Sequence, residues 1–342
     1  MSMLKYILRR LLAAIPVIFG VLTLTFVFSR MMPGDPIHAL LEVLGIPDPL
    51  PEVVNHYNHL YGLDLPIFVQ YFRYIGDLFS GNWGISISVA PQVPVWDLIK
   101  ISLPRTIDLT VFSMIIASYI GVKIGVISAT HRNKLRDTAF RGMALIGVAV
   151  PIFFLGMLLQ YSVAYLWPIF PGTYYKDATF TDPPYLSGFY WIDAIMSGEF
   201  YKIPDYFYHL ILPVFCLSFV TLAGIVRQTR SSMLETLQQD YVRTARAKGC
   251  KEKIVIHKHA LKNSLIPTVT VIGLNVAGLL AGAVLTETTF NLMGMGSLLV
   301  QAITLSDYWL INAVVFLVTI IFVMANLITD LIYGILDPRI RF

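Results

Sequence analysis

The side chains able to do chemistry in this 342-residue chain are few, and their spacing excludes more than it permits. Two histidine pairs are close in sequence, His56 with His59 and His257 with His259. Neither has a third ligand at metal-site spacing, so both read as loop or interface histidines. The two cysteines, Cys216 and Cys250, cannot form a disulfide framework and read as buried or free thiols. The stretch "AKGCKEK" has lysine and glycine but not the GxxxxGK[ST] spacing that cradles nucleotide phosphates. There is no HExxH, no GxSxG elbow, and no Ser or Cys with an evident base partner. The expectation is a chain that is not itself an enzyme and that binds no metal, cofactor or nucleotide.

Four polar or small residues in one apolar stretch are candidates for a different task, lining a path or a subunit seam. Asn275 is the innermost polar residue there, suited to a helix–helix hydrogen bond or a pore. Glu287 follows at the far end, where it either lines a mouth or stands in water. Gly273, Ala277 and Ala281 form one stripe, with Gly278 and Gly282 beside it. Such stripes let helix backbones approach closely, within one bundle or between subunits. Gly121 and Gly125 make a similar pair that reads as plain packing.

These groups need helices that cross a bilayer. The chain is 56% hydrophobic and 13% charged, against about 25% charged in soluble domains. Crossing takes about 20 apolar residues, and six runs qualify: 11–29, 107–129, 143–167, 207–226, 264–286 and 309–330. The first follows a basic start but is too long for a signal-peptide core and lacks a cleavage site, so it is expected to be retained. Pro151 should kink the third, and Pro267 should open the fifth. With the N-terminus inside, roughly 19 of the 25 Lys and Arg residues fall on the cytoplasmic side. Asp35, Glu42, Asp48, Glu52, Asp64, Asp77 and Asp97 all fall in the first outer segment. Lys123 can snorkel to the inner face, and Asp330 is placed to pair with a base there.

The chain therefore divides into 1–31, a tail and first span; 32–102, an outer segment; and 103–342, a core of five spans with a basic cytoplasmic loop at about 227–263. Within the outer segment "PIFVQYFRYIGDLFSG" suits an amphipathic helix at the membrane interface. The aromatic-rich "FPGTYYKDATFTDPPYLSGFYW" suits the headgroup level. In the basic loop, Val242, Ala245 and Gly249 share one weakly apolar helical face, Arg243, Arg246 and Lys248 occupy the others, and Gly249 can stop the helix. A short helix with a small-residue face fits a groove on a soluble protein. Nucleic acid is a poor partner, because positive-inside bias already accounts for the charge.

In these stretches the chain resembles permease subunits of ATP-binding-cassette importers of the dipeptide/oligopeptide/nickel type. "YILRRLLAAIPVIFGVLTLTFVFSRMMPGDP" is similar to that family's first span and exit. "YGLDLPIFVQYFRYIGDLFSGNWGISI" resembles its outer segment, "DYVRTARAKG" with "HALKNSLIP" its cytoplasmic signature, "AGAVLTETTF" its fifth-span exit, and "NLITDLIYGILDPRIRF" its ending. Arg243-Thr244-Ala245 stands where the general signature has Glu-Ala-Ala, and the spacing to Pro267 is longer.

The resemblance implies an all-α, six-span type I importer permease with both termini cytoplasmic and a large extracytoplasmic insert between the first two spans. It implies that Tyr241, Val242, Arg243, Thr244, Ala245, Arg246, Ala247, Lys248 and Gly249 form a coupling helix docked on an ATPase. It also implies a second, homologous permease, two ATPases that bind ATP and Mg, an external substrate-binding protein, and alternating access in a prokaryotic cell membrane. Peptides are the expected substrate, with oligosaccharides or nickel as alternatives. An ion-coupled secondary transporter would need paired mid-membrane carboxylates or broken helices, and no such pair is evident. An intramembrane hydrolase would need a nucleophile and base, which are also missing.

Overall fold

A computed structural model describes residues 3–31, 35–280 and 283–336. Helix α1 (Met3–Met31) is followed by short helices α2 (Pro36–Val43), α3 (Pro51–Tyr61) and α4 (Ile67–Ser80). Then come α5 (Val95–Thr130), α6 (Leu135–Ala149) and α7 (Ile152–Leu159), the last continuing through a π-helical turn, Gln160–Leu166. A short α8 (Tyr190–Met196) precedes α9 (Lys202–Leu237) and α10 (Asp240–Ala247). A three-residue α11 (Glu252–Ile254) runs through a π turn, Val255–Ala260, into α12 (Leu261–Leu280). The chain ends in α13 (Val284–Phe290), α14 (Met295–Thr304) and α15 (Tyr308–Leu336).

Among the described residues five helices are long and apolar enough to cross a bilayer, and α6 with α7 supplies a sixth span bent by 100°. The expected kink at Pro151 is thus a break. Pro151 lacks the N–H that would continue the ladder, and the two halves bury separate glycines. A Cβ on Gly147 would lie 3.0 Å from Ala223 of α9, whereas one on Gly156 would lie 3.0 Å from Thr289. The spans are also longer than hydropathy suggested. At 36 residues each, α5 and α9 reach about 54 Å, well beyond the roughly 30 Å hydrocarbon layer. Pro267 does not open the fifth span: it lies inside α12.

The centre of the bundle is the α5–α9 crossing, where side chains are missing so that backbones can close. A Cβ on Gly121 would come 2.8 Å from Ile225, and one on Gly125 would come 2.6 Å from Thr229. Burial of Ile225, Val226, Ala117 and Met114 around this seam supplies the packing that holds it. Helix α12 lies against α9 and α15, with Gly273 turned onto Thr329 of α15. The Arg10 and Asp330 side chains pair at 2.9 Å, joining α1 to α15.

The segment between α1 and α5 is anchored at both ends. Asp35 caps α2 by accepting from the Ile37 N–H at 2.8 Å, and Pro36 occupies the first turn, where its missing N–H costs nothing. Helix α4 packs its aromatic side on α1, with Tyr71 and Tyr74 each 5.4 Å from Phe26, and leaves Phe68 and Phe72 exposed. The loop after α4 is tied to the start of α15 by one carboxylate. Asp307 Oδ2 accepts from Ser86 Oγ (2.5 Å) and from the backbone N–H groups of Ile87, Ser88 and Val89 (3.0, 3.1 and 3.2 Å).

Candidate functional site

Helix α10 is joined to α9 by two residues and stops at a left-handed Gly249, φ 75°. The Gly249 N–H donates to Arg246 O (2.9 Å) and the Cys250 N–H to Ala245 O (3.2 Å), which satisfies two end carbonyls. Arg246 then grips Glu252 through two hydrogen bonds of 3.2 and 2.7 Å, and Asn263 Nδ2 donates to Tyr241 Oη at 2.8 Å. So α10 is fastened forward at two points, to α11 through Glu252 and to α12 through Asn263, while the two-residue linker 238–239 joins it back to α9.

The face assignment expected for α10 is overturned. Val242 is fully buried and Ala245 is 8% exposed, packed with Val255 and flanked by Leu237 and Cys250 of the same chain. Val242 and Ala245 close the chain's own joint, which covers the apolar side of a helix too short to stand alone, while Gly249, the third residue of the expected face, stays exposed. The outward face carries Tyr241, Thr244 and Lys248, with Arg243 and Ala247 beside them, and all five are exposed.

Above this joint lies a cluster that the sequence reading missed. Asp137, wholly buried at the start of α6, accepts two bonds from Arg230 of α9, Nε at 2.7 Å and Nη2 at 2.9 Å. It also accepts from Ser128 Oγ of α5 at 2.6 Å and from the Asn133 N–H at 2.9 Å, with Arg141 3.7 Å away. One carboxylate thereby joins three span-forming helices on the side of the bundle that carries α10. The available signal was a single acid in the basic run "HRNKLRDTAFR", which solvated loop charge explained equally well.

The four path candidates do not converge. Asn275 is half-buried and has no hydrogen-bond partner among the described residues, so the expected helix–helix bond is not made within this chain. Gly278 faces open space, and Gly282 lies outside the described residues, as does Ala281 of the proposed stripe. Glu287 neither lines a mouth nor stands in water. It is fully buried, accepting from Thr106 Oγ1 (2.6 Å) and from the backbone N–H groups of Gly296 (2.7 Å) and Ser297 (3.0 Å). Its carboxylate caps the first turn of α14 and ties it to α5.

At the opposite end of the bundle from α10, another buried carboxylate closes the α5–α9 seam. Asp108 accepts from Tyr206 Oη at 2.6 Å and Trp191 Nε1 at 3.2 Å. Tyr190 stacks on Tyr206 at 5.0 Å and Tyr175 meets Tyr190 edge-on at 5.9 Å; both are 7% exposed, so these two rings do not belong to a headgroup belt, whereas Tyr165, Trp167 and Tyr185 stay exposed. Arg105 stands 3.9 Å over the Tyr175 ring. Burial pushes the Tyr175 phenol up to about 12, so it remains a neutral donor to Asp182, 3.0 Å away. No group of three His, Cys, Asp or Glu among the described residues could hold a metal ion.

A bundle of five or six long apolar helices, with a short basic helix fastened on one face, defines a multi-pass membrane protein. Residues 121–342 match the family described as binding-protein-dependent transport system inner membrane component, and residues 3–110 match the N-terminal region of the same family. The chain belongs to that family and is an inner-membrane protein. It is 42% identical over 341 residues, 99% of each chain, to the dipeptide transport system permease protein DppB of Escherichia coli (strain K12). It is 40% identical over 341 residues, again 99% of each, to the di/tripeptide transport system permease protein DppB of Pseudomonas aeruginosa. The oligopeptide transport system permease protein AppB of Bacillus subtilis (strain 168) is 36% identical over 340 residues, 99% of this chain and 100% of that one.

Proposed function

We propose that this chain is a transmembrane permease subunit of an ATP-driven importer of short peptides that works by alternating access. Full-length likeness to permeases of dipeptide and oligopeptide systems carries the reading. In it, both termini and α10 face the cytoplasm, following the distribution of Lys and Arg. The insert before α5 faces outward and meets an external binding protein that delivers substrate. A second, homologous permease completes the path, and the open flank of α12 at Gly278 is the surface left for it. ATP and Mg bind to two partner ATPases, and this chain hydrolyses nothing.

In this reading, force enters through α10. An ATPase that grips Tyr241, Thr244 and Lys248 pulls on a helix whose inner face is packed, which follows α9 after two residues and is hydrogen-bonded to α11 and α12. The joint is stiff, so the displacement passes into both spans instead of being absorbed by local bending. The Asp137 cluster carries it on from α9 to α5 and α6. The permease then needs only two arrangements of its spans, with nucleotide-bound ATPases favouring one of them.

The test is co-purification of the assembled transporter with Thr244→Trp on the outward face of α10. The bulky side chain should release the ATPases while the permease pair stays folded. If the ATPases remain bound and substrate still stimulates ATP hydrolysis, the docking face is wrong.

A further inference from the structure

On the membrane face opposite α10, a cavity of about 230 Å³ lies between the end of α1, the α3–α4 hairpin and the start of α15. Its walls carry Arg30, Arg73 and Asp77 together with Tyr61, Trp83 and Trp309. Two left-handed glycines allow these walls to close. A Cβ on Gly62, φ 67°, would stand 2.6 Å from the Arg73 guanidinium, and one on Gly84, φ 74°, 2.6 Å from the Trp309 ring. The Tyr61 and Trp309 rings meet at 4.8 Å.

The polar groups in these walls are left incomplete by the chain. Arg30 makes no ion pair among the described residues; its guanidinium rests over Phe26 and Tyr308, at 5.3 and 5.7 Å. Its Nε and the Oδ1 of Asn312, which also lines the cavity, are buried without a hydrogen-bond partner. Arg73 reaches Asp77 only at 3.9 Å. A half-buried guanidinium without an anion is costly at the edge of a hydrocarbon layer, and phosphate is the anion found at that depth. Next to Arg73, the Asp77 carboxylate, which among the described residues accepts only from Asn82 Nδ2 at 3.4 Å, shares the cavity with two indoles and a phenol, a setting that suits a small ammonium group.

The surroundings say where such a ligand comes from. The cavity lies where α1 ends and α15 begins, which the lengths of these two spans put at the level of one leaflet's headgroups. Next to it Phe68, Phe72 and Phe79 of α4 and Leu24, Val27 and Phe28 of α1 are exposed. Acyl chains can lie along that apolar surface while the headgroup enters a space too small for the chains themselves. The geometry points to a structural site for an aminophospholipid headgroup, with Arg30 and Arg73 holding the phosphate and Asp77 with Trp309 and Tyr61 holding the amine. The site lies away from α10 and from the α5–α9 seam, so it is independent of the transport reading.

Native mass spectrometry of the assembled transporter, titrated with phosphatidylethanolamine, phosphatidylglycerol or inorganic phosphate, tests it. Phosphatidylethanolamine should bind about tenfold more tightly than phosphatidylglycerol, and free phosphate should not compete. Arg73→Gln and Asp77→Asn should each weaken phosphatidylethanolamine binding about tenfold. Both side chains are half-exposed, so the fold is not at stake, and melting temperature checks this. Lys134→Gln, on the other face, should bind as the unchanged protein does. Equal binding of the two lipids overturns the amine half of the site. Competition by phosphate overturns the lipid assignment, and unaltered binding by both Arg73→Gln and Asp77→Asn overturns the site.

Discussion

Removing the Asp137 carboxylate should loosen the junction of α5, α6 and α9 more than any other single truncation on that side of the bundle. The Asp137→Ala change deletes the acceptor for four hydrogen bonds, two of them charge-assisted and bidentate from Arg230. It also leaves the Arg230 guanidinium, 19% exposed, without its counter-ion. Breaking a buried pair from one side costs about 3–5 kcal/mol, and the stranded Ser128 hydroxyl and Asn133 N–H favour the upper half of that range. Arg230→Ala should cost less, about 2–3 kcal/mol, because Asp137 keeps two donors and Arg141 stands 3.7 Å away as a substitute. The double variant should fall about 2 kcal/mol short of the sum, since the second truncation removes a partner already lost. Thermal unfolding of the purified transporter in lipid nanodiscs, read as a complete double-mutant cycle, measures this. Additive costs, or Arg230→Ala costing as much as Asp137→Ala, would refute the reasoning.

Glu287→Ala should cost about 2–4 kcal/mol by stranding the Gly296 and Ser297 N–H groups in a dry site, whereas Glu287→Gln, which keeps an acceptor, should cost about half as much; unfolding midpoints of the two variants decide. Gly249→Val forces a β-branched residue into φ 75°. Amide exchange should then quicken across 245–255 while the membrane-spanning helices keep their protection.

The spans were legible because hydropathy over about 20 residues is a strong signal and lipid leaves the backbone little choice. Their true ends were not, since α5 and α9 project beyond the hydrocarbon on polar turns that hydropathy ignores. Pro151 announced a discontinuity, but the 100° angle comes from Gly147 docking on α9 and Gly156 docking beside Thr289, contacts made far away in sequence. In α10 the helix and its stop at Gly249 could be read from local chemistry. Which side faces outward could not, because Val242 and Ala245 suit a foreign groove and their own joint equally well. Glu287 was misread for a similar reason: its partners are Thr106 and a helix start nine and ten residues on. Asp137 was passed over because its partner is 93 residues away.

The broken third span also bears on how the chain is made. Neither α6, 15 residues long, nor α7 with its π turn reaches the length of a self-sufficient membrane segment. When this region leaves the ribosome, α1 and α5 are the only spans already synthesised among the described residues, and Arg230 has yet to emerge. The half-span must wait beside α5, its Asp137 held by Ser128 alone of the helical partners, until α9 arrives to receive it. The Asp137 junction is therefore complete only once α9 has arrived. A chain halted before that point should expose an unfinished hairpin to the membrane's quality-control proteases.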